Sequence, residues 1–431
     1  MKLTATCGSA LQAEAAIPGD KSCSHRALIL GAMADGETRI SGLLESADVM
    51  ATARAVEAFG LRLDRGKVGE WKVRGGPWKS PSAAIDCGNS GTGARLLIGA
   101  VAGMPGVAAT FVGDVSLSAR PMRRVTAPLA RMGAGMEGDD RLPITVRGRM
   151  LGGIDYRNAQ ASAQVKSAIL LAGLGTDAPV QIVEPVPTRD HLEIMLARFG
   201  CPVSVDDRAE GWAISLGKDR LLSASEIAIG ADPSSAAFPL VAAAIVPGSD
   251  VTATGVIVNP LRTRLYETLE AMGAEIELSN ERIQSGEVLA DIKLIHSPLR
   301  PCHVEARHVA AMIDEIPALA IACAFADGES LIEGLGELRV KESDRLGAIL
   351  AGLTACGVPA AVDGDALRIF GKAKVRGGGR ISTHGDHRIA MAFLTLGLAS
   401  DEPVEVDEAE MIATSFPGFV EVMRSLGADI Q

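Results

Sequence analysis

Basic and hydroxyl side chains gather at a few short turns of this 431-residue chain. The first turn, PGDKSCSHR, sets Lys21, Ser22, Ser24, His25 and Arg26 in front of an almost uncharged apolar run. A second, GNSGTGAR, carries Gly91 and Arg95, and a third offers Ser162, Gln164 and Lys166. Nearer the other end, LRVKESDRL supplies Lys341, Glu342, Asp344 and Arg345, and HGDHR supplies Arg388. A helix start exposes unpaired N–H groups and the positive end of the helix dipole, so such turns attract anions. Lysine and planar arginine forks beside them suit phosphate and carboxylate. A Walker-type loop is excluded, because Lys21-Ser22 follows Asp20 with a single glycine behind it instead of Gly-x4-Gly-Lys-Ser/Thr. HGDH has the look of a paired-histidine metal site, but a third ligand is missing nearby and Arg388 would repel a cation, so we expect no metal. Taken singly, each turn is explained equally well by an ordinary helix start or a solvated charge run. Chemistry requires elements that bring the turns together.

Composition says what those elements are made of. Apolar residues make up 47% of the chain and aromatics only 3%, so the core is built from Ala, Val, Leu and Ile. The 48 glycines imply many tight turns between short elements, which favours an α/β architecture, and the length favours more than one domain. A formal net charge of -11 argues against a general nucleic-acid or anionic-membrane binder, so the basic clusters are local features. The seven cysteines are scattered and form no Cys-x-x-Cys, as in a reducing compartment. The first residues lack the apolar core of a signal peptide, and no run is long enough for a membrane span; we expect a cytoplasmic protein.

A phrase of the form apolar-Gly-small followed by a strand pattern recurs six times: AFGLRL, RMGAGME, RFGCPVSV, AMGAEIEL, ACGVPAAV and SLGADI. Its glycines stand at 60, 133, 200, 273, 357 and 427. Each phrase reads as a helix end, a left-handed glycine cap and a strand. Ahead of each lies a turn-and-strand landmark (ADGETRISG, MPGVAATFVG, DAPVQIVEP, VPGSDVTATG, ADGESLIEG, SDEPVEVDE), and ahead of that an Ala-rich helix apolar on every face. A helix of that kind belongs inside a core. Six units divide as three plus three, with the midpoint near Ile229-Gly230-Ala231-Asp232. If the inner helices run side by side, their N-termini and the basic turns converge on one anion-binding cleft.

In this order, PGDKSCSHRAL, GNSGTGARLL, LSARPM, SAQVKSAILLAGL, DPSSAAFPL, LRVKESDRL and HGDHRIAM resemble the signatures of the EPSP synthases, the 3-phosphoshikimate 1-carboxyvinyltransferases, across essentially the whole chain. The resemblance implies an α/β fold of two similar globular domains, each with three βαβαββ-type repeats around buried parallel helices, an inside-out α/β barrel. The domains would comprise residues 20–230, and 1–19 with 231–431, closing on substrates at a hinge. It also implies transfer of the enolpyruvyl group of phosphoenolpyruvate to the 5-hydroxyl of shikimate 3-phosphate, with release of phosphate, in the shikimate pathway. By resemblance, shikimate 3-phosphate would be held by Lys21, Ser22, Arg26, Ser162, Gln164, Arg189, Asp314 and Lys341. Phosphoenolpyruvate would be held by Lys21, Gly91, Arg120, Gln164, Arg345 and Arg388.

Addition then elimination needs a base for the hydroxyl and an acid for the methylene carbon, with both roles reversed in the second step. The catalytic candidates are Glu342 for proton delivery to carbon, Asp314 for the hydroxyl, and Lys21 and Lys341 for charge stabilisation and proton transfer. No metal or organic cofactor is required, and the partners expected are the two small-molecule substrates of a monomer, with no nucleic acid and no membrane. Some family members place the catalytic Asp directly after the Ile-Pro pair; here Ala318 follows Ile316-Pro317 and Asp314-Glu315 precedes it, which keeps Glu315 as an alternative. The segment IATSFPGF carries Thr414 and Ser415 where some members have Lys, and receives no ligand role. The UDP-N-acetylglucosamine enolpyruvyl transferases share fold and chemistry but carry a reactive Cys before Ala-Arg-Pro, whereas GDVSLSARP has none. A non-catalytic anion-binding protein is the remaining alternative, and the Glu342 and Asp314 pair among basic groups argues against it. Glyphosate, the family's inhibitor, occupies the phosphoenolpyruvate site, and Gly91 stands where Ala in the motif confers tolerance.

Overall fold

Repetition organises the molecule at every level. The computed structural model describes residues 1–431, and the chain divides into two units. One comprises Gly19–Ile229 with Gln284–Glu287; the other comprises Met1–Pro18, Gly230–Ile283 and Val288–Gln431. Strands gather into six separate four-stranded sheets, three in each unit. All six share one scheme: a parallel pair, then a strand antiparallel to that pair, then a last strand paired to it. In Gly19–Ile229, for example, Ile154–Arg157 pairs parallel with Val180–Glu184, which pairs antiparallel with Gly211–Leu216, which pairs antiparallel with Val203–Arg208. The other unit uses the beginning of the chain for two of its sheets. Gln12–Ala15 lies parallel to Asp250–Ile257, and Leu3–Thr6 lies antiparallel to both Val404–Val406 and Asp429–Ile430.

The six glycines of the recurring phrase all adopt positive φ, from +77° at Gly357 to +105° at Gly427. Each donates its N–H to the carbonyl three residues back, as Gly133 does to Ala130 and Gly273 to Glu270. At five of them the next residue also donates five positions back, completing the Schellman closure, as Ala134 does to Leu129 and Val358 to Leu353. A side chain with a Cβ is strained in this conformation, which is why the same residue type recurs at each helix end.

The apolar segments form helices enclosed by the rest of their unit. Pro233–Ile245, Ile316–Ala324 and His387–Gly397 are buried at every residue. Lys21–Met33 is buried from Cys23 to Ala32, and Gly91–Ala102 and Ala163–Gly173 are buried beyond their first turn. Small residues let these helices touch through their backbones. A Cβ placed on Gly99 would stand 2.4 Å from the carbonyl oxygen of Ala168, and one on Gly103 would stand 2.4 Å from that of Ala172. Each inner helix is followed by a strand and then an outer helix, Ala47–Ala58 and Arg345–Ala355 among them, whose buried residues alternate with exposed ones. No helix is long and apolar enough to cross a membrane.

The close approach at Gly99 can be tested directly. Gly99→Ala forces the two helices apart or the new methyl into a carbonyl, an overpacking expected to cost about 1–3 kcal/mol. Gly76→Ala is the control, since its Cβ would meet nothing nearer than a Leu61 methyl at 4.0 Å. Denaturant unfolding should separate the two variants; equal midpoints would show that the helix pair has slack.

Candidate active site

The unit Gly19–Ile229 assembles its polar residues at the N-termini of its three inner helices. Asp20 caps the first, its carboxylate accepting the Cys23 N–H at 2.7 Å. Ser90 caps the second through Gly93 at 3.0 Å, and Ser162 caps the third through Val165 at 3.4 Å. Capping fixes where each helix begins and so which side chains stand at its mouth. Lys21 pairs there with Asp48 of the outer helix Ala47–Ala58. Arg26 lies almost wholly buried, its guanidinium donating to the Ser22 carbonyl and to Ser167 Oγ, both at 2.9 Å. Burial lowers the Arg26 pKa, and the nearby charge of Arg189 adds to the effect. Two guanidiniums held near each other in a buried setting suit a ligand of opposite charge.

Gly91, Arg120 and Gln164 are linked through neighbours. Arg120 donates to Asn89 Oδ1 at 2.6 Å and to Ser116 Oγ at 3.1 Å. Asn89 in turn donates to Asp114, which caps the short helix Val115–Ala119. Gln164 accepts from Arg95 and donates to Thr92 Oγ1 at 2.8 Å. Gly91 lies against the Arg120 guanidinium: a Cβ there would stand 3.0 Å from Arg120 Nη1.

Two residues of the basic turns do different work from the one their sequence neighbours suggest. Lys166 is buried, and its ammonium is occupied by Glu193 at 2.7 Å, Glu184 at 3.0 Å and the Thr188 carbonyl at 3.1 Å. Burial would lower its pKa, but the two carboxylates outweigh that and raise it. It faces inward because it lies one turn into the helix, on the side packed against the sheet. Ser24 is likewise buried, donating to the Asp20 carbonyl at 2.7 Å and accepting from Leu44 N–H at 3.0 Å.

The other unit builds its cluster around Arg345, which opens the outer helix Arg345–Ala355 and is fully buried. Its Nε donates to Asp386 Oδ2 at 2.7 Å, Nη1 lies 3.3 Å from Asp314 Oδ1, and Nη2 donates to Glu342. Burial opposes the charge, yet Asp386, Glu342 and Asp314 together raise the Arg345 pKa above its ordinary value. Arg388 also reaches Asp314 Oδ1, at 3.1 Å, and Lys341 Nζ lies 3.8 Å from the same oxygen. Lys341, Glu342, Arg345 and Arg388 are therefore grouped around Asp314.

Glu315, the neighbouring carboxylate, turns the other way. It is buried at the start of Ile316–Ala324 and accepts from Ser234, whose hydroxyl also accepts from Arg262 Nη2 at 2.9 Å. The geometry thus separates two adjacent acids into one among cations and one in the core.

Asp386 is the residue that the sequence reading passed over. It caps His387–Gly397 through the Arg388 N–H at 3.0 Å and also accepts from Ser343 and Arg345. Its position directly before an apolar helix signals the cap, but nothing local signals the arginine that reaches it from a distant stretch. Asp48, which the sequence gives no reason to pair with Lys21, is hidden for the same reason. Neither histidine of HGDH approaches a metal-like arrangement: His384 is exposed, while His387 is buried with Nδ1 3.2 Å from Thr414 Oγ1.

A family model described as EPSP synthase (3-phosphoshikimate 1-carboxyvinyltransferase) matches residues 5–423. A 3-phosphoshikimate 1-carboxyvinyltransferase of Phenylobacterium zucineum is 52% identical, over 99% of this chain and 95% of its own. One from Caulobacter vibrioides is 51% identical, over 98% of this chain and 97% of its own. Among solved structures, an EPSP synthase of Acinetobacter baumannii superposes with a TM-score of 0.86 at 40% identity, covering 100% of this chain and 99% of that one.

A buried histidine in the first cluster makes pH a probe of it. His25 Nδ1 lies 2.8 Å from Thr52 Oγ1, and burial, reinforced by Lys21 and Arg26, holds its pKa well below 6.5. The folded chain keeps His25 neutral where the unfolded chain protonates it, so stability falls as pH drops below about 6.5, by up to about 1.4 kcal/mol per pH unit. Urea unfolding between pH 7.5 and 5 should therefore show a shallower slope in His25→Asn. The same slope in both proteins would mean that His25 takes its proton in the folded state too.

Proposed function

The chain belongs to the EPSP synthase family, and from that membership we infer that it transfers the enolpyruvyl group of phosphoenolpyruvate to the 5-hydroxyl of shikimate 3-phosphate, releasing phosphate. The observation that carries the reading is the group around Asp314, where Lys341, Arg345 and Arg388 meet Asp314, Glu342 and Asp386. Such a group supplies fixed cations for an anionic substrate beside carboxylates able to move protons.

Phosphoenolpyruvate is assigned to Lys21, Gly91, Arg120, Gln164, Arg345 and Arg388, and shikimate 3-phosphate to Lys21, Ser22, Arg26, Ser162, Gln164, Arg189, Asp314 and Lys341. In the addition step the 5-hydroxyl oxygen bonds to C2 of phosphoenolpyruvate while C3 gains a proton. In the elimination step C3 loses a proton and the C2–phosphate bond breaks, leaving the enol ether and inorganic phosphate. Asp314 takes the hydroxyl proton and Glu342 serves the carbon, with Lys21 and Lys341 stabilising charge. The guanidinium donors of Arg345 and Arg388 are engaged by Asp314 and Glu342. An incoming substrate carboxylate competes for the same donors, and the acids it displaces become available for proton transfer. The orientation of Glu315 toward Ser234 favours Asp314 as the acid that meets the hydroxyl. We further assign the chain to the cytoplasm, as a monomer.

Phosphate release in the presence of both substrates, and not with either alone, is the primary test. Glu342→Gln removes a proton carrier with little change in volume, so turnover should fall about 100-fold or more. Affinity for shikimate 3-phosphate should remain close to that of the parent, and turnover within twofold of the parent would remove Glu342 from the mechanism.

Glyphosate sensitivity should depend on Gly91. Its missing Cβ leaves the backbone open beside Arg120, and a methyl 3.0 Å from Nη1 must push the guanidinium or narrow the pocket. The longer inhibitor loses more to that methyl than the compact substrate does. The parent should be inhibited, and Gly91→Ala should weaken glyphosate more than phosphoenolpyruvate at matched substrate saturation. An insensitive parent, or equal inhibition constants, would assign control to another contact.

A further inference from the structure

Outside the cluster just described, one pair of reactive groups stands close enough to form a bond. Cys302 lies just before the strand His303–Val304, and Cys323 lies in the last turn of the inner helix Ile316–Ala324. Their sulfurs are 3.6 Å apart, although 21 positions separate them in sequence. A disulfide needs about 2.05 Å between sulfurs, so bonding requires the two to approach by roughly 1.5 Å. The two thiols differ in access. Cys323 is sealed in the core, whereas Cys302 is half-buried and lines a cavity of about 270 Å³ with Arg264, Glu267, His303 and His308. The Cys302 N–H donates to Ser330 Oγ at 3.2 Å and its carbonyl accepts from Leu331, which fixes the backbone on this side of the pair.

We propose that Cys302 and Cys323 form a reversible oxidation site for small hydroperoxides, with Cys302 as the attacking sulfur and Cys323 as the resolving one. The chemical environment agrees with that division. The hydrogen bond between the two sulfurs lowers the Cys302 pKa below that of an ordinary thiol, while that same bond and burial raise Cys323 well above it. The Cys302 thiolate attacks a peroxide oxygen; the S–O bond forms, the O–O bond breaks, and the leaving oxygen takes a proton to depart as alcohol or water. Cys323 then gives its proton to the sulfenic hydroxyl and attacks the Cys302 sulfur; the S–S bond forms, the S–O bond breaks and water leaves. Two thiols lose two electrons and one peroxide gains them. The bond closes a loop that contains Asp314 and the start of Ile316–Ala324.

The test treats the full chain with hydrogen peroxide and maps unreduced peptides by mass spectrometry. A cross-link joining the Cys302 and Cys323 peptides is expected, with two fewer free thiols and full reversal by dithiothreitol. In Cys323→Ser the sulfenic acid has no resolving partner, so dimedone should label Cys302. In Cys302→Ser the cross-link should vanish and Cys323 should stay unlabelled. The proposal is overturned if both thiols remain reduced while exposed Cys7 oxidises, or if Cys323 is labelled in Cys302→Ser.

Discussion

A single guanidinium with no exposed surface holds three carboxylates in place. Arg345 gives one donor direction each to Asp314, Glu342 and Asp386, three carboxylates from three separate stretches of sequence. A planar fork with fixed donor angles specifies direction as well as charge, which an ammonium could not do at all three partners at once. Leaving any buried partner uncompensated costs several kcal/mol, so the arrangement resists piecemeal change. Asp386 ties the cluster to the frame, because the same carboxylate that receives Arg345 also begins the helix His387–Gly397.

Lys166 in the other unit makes an instructive contrast. It too is a buried cation among carboxylates, but Glu184, Glu193 and a backbone carbonyl take up its three donors, so a ligand could claim one only by displacing a protein partner. Around Asp314, that residue and Glu342 keep some exposure, and three cations meet on the one oxygen Asp314 Oδ1. Both are ion clusters, yet the one around Asp314 is partly open to solvent and the one around Lys166 is closed. The difference lies in how completely each charge is already satisfied, not in residue type.

The fold was largely readable from local chemistry. Six glycines that must accept positive φ, six strands after tight turns and six helices without a polar face are each dictated by neighbours in sequence, and all of them stand where the pattern places them. The separation into four-stranded sheets was not readable, since strand partnership depends on distant pairings such as Leu3–Thr6 with Val404–Val406. The basic turns were visible for the same local reason as the helices, because helix starts and arginines declare themselves. What stayed hidden was direction. Nothing near Lys166 tells that it turns inward, and nothing near Asp386 or Asp48 tells which cation will reach it. The choice between Asp314 and Glu315 likewise depends on Ser234, a residue that becomes adjacent only after folding.

The placement of Leu3–Thr6 between Val404–Val406 and Asp429–Ile430 has a consequence for biosynthesis. On the ribosome this strand emerges before any of its partners exist, and so does Gln12–Ala15, which must await Asp250–Ile257. Most of the unit Gly19–Ile229 can be translated and can begin to assemble while the preceding segment is still an unpaired extended chain, tethered through Pro18. Leu3 and Ala5, both core residues once paired, have no strand partner until Val404–Val406 and Asp429–Ile430 have been made. Vectorial synthesis therefore places a demand for protection from misassociation on Leu3–Thr6 and Gln12–Ala15, and relieves it only when their later partners arrive.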